Sequence, residues 1–144
     1  MNIETRTPKS QDEWDLYYNL RFRILREPLN QPLGSERNED DITGEHFALY
    51  DDGVLMAIAR LDQTEVGISQ VRFVAVESGC QGKGYGRMIM EATEEKSKAD
   101  GNTKMILHAR DYAVDFYLRL DYVIIEKSYK LFDVLQHFLM EKNY

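Results

Sequence analysis

With 144 residues, 43% of them hydrophobic and 30% charged, the chain has the composition of one soluble globular domain, large enough to bury a core. A formal net charge of −7 argues against a nucleic-acid backbone as partner, which requires a basic face, and mildly favours a cationic or neutral ligand through steering. No apolar run approaches the ~18 residues of a membrane span, Met1–Arg6 lacks the apolar core of a signal peptide, and the single Cys80 has no internal disulfide partner. The expectation is one domain over residues 1–144, cytoplasmic, without membrane or nucleic-acid partners.

In chain order, Ile3 to Thr7 reads as a short strand ended by Pro8. Ser10 and Glu13 have the spacing of a capping box, opening a helix to about Arg26 with Tyr17, Leu20 and Ile24 on one face and Pro28 as its stop. Leu29 to Thr43, with Pro32, Gly34 and the polar run from Ser35 to Asp41, reads as a loop over the site, with at most a helical turn. His46–Tyr50 and Val54–Leu61 read as strands joined by the turn Asp51-Asp52-Gly53, and Val71–Glu77 as the third strand of that meander. A helix from Gly84 ends near Asp100-Gly101, with Gly101 just past its last turn. Lys104–Ala109 reads as a buried strand. Asp111 is the expected cap of a helix carrying Ala113, Phe116, Tyr117 and Leu120 on one face. Tyr122–Glu126 and Gln136–Glu141 supply closing strands, connected through Lys127–Leu135. The order is that of a mixed α/β sheet rather than a doubly wound parallel one.

The stretch from Val71 to Met88 carries the most chemistry. Residues 71–76 are apolar apart from Arg72, as suits a central strand covered on both faces. Tyr85, Met88, Ile89 and Ala92 then mark one face of a helix, and Gly82, Gly84 and Gly86 lie at the junction. A glycine-rich turn feeding a helix start offers free N–H groups and the positive end of the helix dipole to a phosphate or pyrophosphate. A dinucleotide-binding fingerprint would need glycine where Arg87 stands, and a P-loop would need Lys-Ser or Lys-Thr where Tyr85-Gly86 stands. Neither nucleotide motif fits. Cys80, beside the turn, reads as a spectator thiol.

Gln81-Gly82-Lys83-Gly84-Tyr85-Gly86 does resemble the Q/R-x-x-G-x-G/A signature of the GNAT superfamily of acyl-CoA-dependent N-acyltransferases. The resemblance runs from about Ile3 to Lys142, and the Pro32–Glu36 loop and the Phe132–Glu141 ending are similar to a bacterial branch of that superfamily. It implies an α/β fold of α+β type: a mixed, mostly antiparallel central sheet of six or seven strands with helices on both faces. It implies acetyl-CoA as co-substrate, with the pyrophosphate on the main chain of Gln81, Gly82, Lys83, Gly84, Tyr85 and Gly86; no metal is expected. Lys83 and Arg87 would neutralise phosphate charge. The pantetheine would lie along Phe73, Val74, Ala75 and Val76, one of whose N–H groups would polarise the thioester carbonyl. Arg110, seven residues before Tyr117, stands where an Asn that contacts pantetheine is common.

Tyr117, in Phe116-Tyr117-Leu118-Arg119-Leu120-Asp121-Tyr122, matches the tyrosine of the family's F/L-Y-x-x-x-G-F motif and is the expected general acid. Asp121 and Tyr122 depart from the usual Gly and Phe. Candidate bases stand at strand ends: Glu45, His46, Glu77 and His108, of which Glu77 and His46 are carried forward. His137 is at most a wall of the acceptor site, and the three histidines lack metal-ligand spacing. The expected function is transfer of acetyl to a primary amine of a small cationic molecule rather than a protein. The alternative is an acyl-CoA-binding module without turnover. A homodimer is compatible with the family.

Overall fold

Side-chain alternation along the central strands decides the layering. In the computed structural model, which describes residues 2–144, seven strands form one sheet. They are β1 (Ile3–Arg6), β2 (Glu45–Asp51), β3 (Val54–Glu65), β4 (Ile68–Val76), β5 (Lys104–Arg110), β6 (Val123–Leu131) and β7 (Leu135–Asn143). Their order is β1-β2-β3-β4-β5-β7-β6. Every pairing is antiparallel except β4 with β5. Three helices accompany the sheet: α1 (Gln11–Leu25), α2 (Tyr85–Ala99) and the short α3 (Val114–Leu118).

On β2, Phe47 and Leu49 join the core formed with Tyr85, Ile89 and Met90 of α2, whereas Ala48 and Tyr50 pack with Tyr17, Leu20 and Leu25 of α1. The period-2 pattern of a strand covered on both faces thus meets the 3.6-residue stripe of a helix on each side. No described helix is long and apolar enough to cross a membrane.

Local signals set most boundaries. Ser10 Oγ accepts from the Glu13 N–H at 3.1 Å, which fixes the start of α1. The box is not closed reciprocally: the Glu13 carboxylate takes the Lys9 N–H at 2.8 Å and both terminal nitrogens of Arg6, tying β1 to α1. Arg26 is the C-cap, and Pro28 lies in the 3₁₀ turn Glu27–Leu29 that follows. Two expectations are corrected. Asp111 does not cap a helix: it opens a 3₁₀ turn, Asp111–Ala113, and α3 begins after Ala113 without a side-chain cap. The closing hairpin is longer than expected, with only Phe132–Val134 between β6 and β7. β6 is an edge strand whose side chains are mostly exposed, so residues 127–131 read as loop from their polarity.

Two irregularities in β4 make the site. Ile58 pairs with Ala75 and Arg60 with Arg72, so Phe73 and Val74 together oppose the single Ala59. This is a β-bulge, and Phe73 has φ 55°, a left-handed conformation costly for a residue with a bulky side chain. The bulge turns Phe73 toward α1 while Val71 and Val74 keep to the α2 face. Secondly, β4 and β5 pair only from Ile68–Gln70 to Lys104–Ile106. Beyond that point both strands continue and diverge, leaving a wedge in the sheet.

A buried ionic layer supports the bulge from the α1 side. Arg21 and Arg60, both fully buried, share Asp41 Oδ1 at 2.9 and 2.7 Å. Arg60 also donates to Asn38 Oδ1 at 2.7 Å and to both Asp62 oxygens at 2.9 and 2.8 Å. The guanidinium carbons of Arg21 and Arg60 lie 4.2 and 5.0 Å from the centre of the Phe73 ring. Asn38 and Asp41 come from the long loop after α1, so this network fastens that loop to the sheet.

Candidate active site

The wedge between β4 and β5 is a cleft of about 770 Å³. Side-chain alternation gives it two walls. Val71, Leu107 and Ala109 belong to the core on the α2 side, so Arg72, His108 and Arg110 belong to the α1 side. His137, paired directly with Arg110, shares that side.

On the α2 side lies the glycine turn. Gly84, at φ +90°, is the N-cap of α2, and the first helical N–H with an in-helix partner is that of Met88, bonded to the Gly84 carbonyl at 3.0 Å. The preceding N–H groups and the dipole are therefore available to an anion. Gly82 has φ +85°, and a Cβ there would stand in open space, so the turn leaves room for a group beside the main chain. Gly86 serves a different purpose. A Cβ on it would come within 3.0 Å of Phe116 Cζ, so this glycine lets α2 and α3 approach. The residues present fit a pyrophosphate at the turn and an extended chain in the wedge.

Of the residues expected to bind CoA, Phe73, Val74, Ala75 and Val76 line the cleft. So do Gln81, Gly82, Gly84, Gly86, Arg87 and Arg110. Lys83 and Tyr85 do not. Lys83 is exposed, and Tyr85 packs into the α2 core with its hydroxyl donating to Asp51 at 2.5 Å, which pushes the phenol up to about 12.

Tyr117 reaches the cleft from α3, packed edge-on against Phe116 and Tyr122. Burial raises its phenol above the ordinary tyrosine value, so it holds its proton at neutral pH. The hydroxyl makes no hydrogen bond among the described residues.

The expected bases separate. His46 is buried under α1, with Nδ1 at 2.8 Å from the Tyr17 hydroxyl and Nε2 at 2.8 Å from the Asp41 carbonyl, and does not line the cleft. Glu77 is also outside: Arg23 donates to its two oxygens at 3.0 and 3.1 Å and holds the carboxyl below the usual range. Glu45 faces Lys96 at 3.5 Å. A strand end is recognisable from sequence, but which gap it borders depends on strand order. Only His108 lies in the cleft. Burial, then the nearby Arg72, lowers its pKa and favours the neutral ring, and its buried Nδ1 has no partner among the described residues.

The lining also contains Arg26, Arg72, Arg87, Arg110 and Arg119, and no carboxylate. The net charge of −7 is therefore carried elsewhere on the molecule and lends no support to a cationic acceptor. Sequence reading did not place Arg26 or Arg72 at the site. For Arg72 a signal was present, as the one charge in an otherwise apolar central strand; for Arg26, at the end of a helix, there was none.

A family profile described as "Acetyltransferase (GNAT) domain" matches residues 28–144. An N-acetyltransferase of Bacillus subtilis (strain 168) named YjcF, itself uncharacterised, is 24% identical over 135 residues, covering 94% of this chain and 96% of its own. An acyl-CoA N-acyltransferase from Pseudomonas aeruginosa has the same fold, with a TM-score of 0.80 at 21% identity over 98% of both chains. So does a Bacillus subtilis acetyltransferase solved with CoA, with a TM-score of 0.76 at 15% identity over 99% of this chain and 98% of that one. The profile match over most of the chain, on a sheet split at a bulged β4 above a glycine turn, makes this protein a member of the GNAT acetyltransferase family.

Proposed function

We propose that this protein transfers an acetyl group from acetyl-CoA to a primary amine by direct attack, with Tyr117 as general acid. The observation that carries the reading is the wedge itself: a glycine turn at one end, a protonated buried tyrosine inside, and diverging strands between them. Acetyl-CoA supplies the acetyl group as a thioester, whose transfer to nitrogen leaves a thiolate in need of a proton and an amine that must lose one. Gly82, Gly84 and the first turn of α2 hold the pyrophosphate, with Arg87 beside them. The main chain of Phe73–Val76 binds the pantetheine as an added strand would be bound. Tyr117 keeps its proton until it is needed, because burial disfavours the phenolate. His108, neutral and facing the same cleft, accepts the proton of the incoming amine.

A non-catalytic acyl-CoA sensor has the same turn and wedge but no use for a proton donor there. The test is release of CoA thiol from acetyl-CoA against a panel of amines. Amine-dependent release supports the enzyme. Tight acetyl-CoA binding that is silent with every amine supports the sensor.

A further inference from the structure

The α1 wall of the cleft holds guanidinium groups without counter-charges. Arg26 is 9% exposed, yet its Nε and Nη1 donate only to the main-chain carbonyls of Ser35 and Leu25, each at 3.1 Å. Arg110 donates to the same Leu25 carbonyl at 2.8 Å and to the Tyr112 hydroxyl at 3.1 Å. Neither forms an ion pair among the described residues. Arg72 has one acidic neighbour, Asp40, at 3.9 Å and largely exposed, a pair too long and too solvated to neutralise it. Beyond Arg72 a smaller depression of about 240 Å³ contains Asp40 and Asp62, but both Asp62 oxygens are already held by Arg60.

Burying a guanidinium such as that of Arg26 is costly when its charge is unmatched, and the partly buried Arg72 and Arg110 on the same wall add repulsion. Burial first, and then the charge of Arg110, makes the protonated form of Arg26 harder to hold, with smaller contributions in the same direction from Arg21 and Arg72. A bound anion removes this repulsion, and planar guanidinium forks suit a carboxylate or phosphate. The CoA pyrophosphate is not that anion, since the glycine turn and Arg87 line the opposite side of the cleft, with α2. His108 shares the α1 wall, so the reacting nitrogen and the anionic group would sit close together.

We propose that the acceptor is a small amine that also carries a carboxylate or a phosphate, bound by Arg26, Arg72 and Arg110 on the α1 wall. The proposal deepens, and rests on, the acetyltransferase reading above.

The test is titration calorimetry on protein saturated with CoA, which fills the pyrophosphate site. β-Alanine, 4-aminobutyrate and O-phosphoethanolamine are compared with β-alaninamide, 4-aminobutanamide and ethanolamine, and with spermidine as polycation. At least one anionic amine should bind tenfold or more tighter than its neutral counterpart, and the winning pair tells carboxylate from phosphate. Arg72→Gln, whose side chain is 34% exposed, should reduce that preference about tenfold with CoA affinity unchanged; Arg26→Gln should do the same. Equal affinities within every pair, tighter binding of spermidine, or a preference that survives both substitutions overturns the proposal. If wild-type protein does not bind CoA, the acetyltransferase reading falls by itself. The same titration on CoA-free protein, wild type against Arg72→Gln, then still decides whether this wall binds anions.

Discussion

Tyr117 and His108 stand on opposite walls of the wedge with opposite protonation preferences, the phenol held protonated and the imidazole held neutral, and burial is the first cause of both. Tyr117→Phe keeps the ring and its packing on Phe116 and Tyr122 but removes the proton. Steady-state kinetics should show kcat falling about 10²-fold while calorimetric affinity for acetyl-CoA stays within a factor of about two. For His108 the sign follows from the lowered pKa. The ring is neutral, and active as a base, above its folded value and is lost as pH falls through it. The acidic limb of the pH–rate profile assigned to His108 should therefore lie below 6.5. His108→Gln should remove that limb and lower kcat/KM by about 10²-fold. A limb unchanged in the variant would assign the proton transfer to another group.

Among the elements, the turn from β4 into α2 shows how neighbouring glycines differ in purpose. At Gly82 a side chain meets nothing, but φ +85° makes any L-residue strained. Gly82→Ala should cost roughly 1 kcal/mol of stability and weaken acetyl-CoA binding by crowding the pyrophosphate. At Gly86 the new methyl would press on the Phe116 ring at 3.0 Å. Gly86→Ala should act through α3, lowering the melting temperature and turnover together as Tyr117 shifts with Phe116. Thermal melts and acetyl-CoA titrations on the two variants separate these effects. The bulge at Phe73 is the other decisive local feature, because it interrupts the β3–β4 ladder just beyond Gln70, the last β4 residue paired with β5.

For the molecule as a whole, the layer of Arg21, Asp41 and Arg60 couples the loop after α1 to the sheet and to the Phe73 ring. Asp41→Ala leaves two fully buried guanidiniums without their shared partner and should destabilise the fold by about 3–5 kcal/mol in urea unfolding. Burial tends to raise the Asp41 carboxyl, but hydrogen bonds from Arg21 and Asn38 and the charge of Arg21 outweigh it, and the carboxyl lies below its ordinary range. Its contribution is present above the unfolded-state value of about 3.9 and is lost as pH falls through the lower folded value. Asp41→Asn should accordingly show a flatter loss of stability at acid pH than the wild type.

What the amino-acid order determined by itself is what short-range physics can determine. The Ser10 cap, the arrest of α1 before Pro28, the Asp51-Asp52-Gly53 turn and the glycine entry into α2 all depend on neighbours a few residues apart. The mixed sheet followed from periodicity and element order, and the glycine turn and Tyr117 were singled out by their resemblance to family motifs. The tertiary structure alone decided the rest. Phe73 takes a left-handed φ that an apolar β-strand sequence does not announce, because the cost is met by guanidiniums from α1 and β3, distant in the chain. Four strand-end candidates for the base looked alike until strand order put His108 in the wedge and left Glu45, His46 and Glu77 to structural partners. The cationic wall, too, arises only when the end of α1, the middle of β4 and the end of β5 come together, since charge summed along a chain is blind to where folding concentrates it.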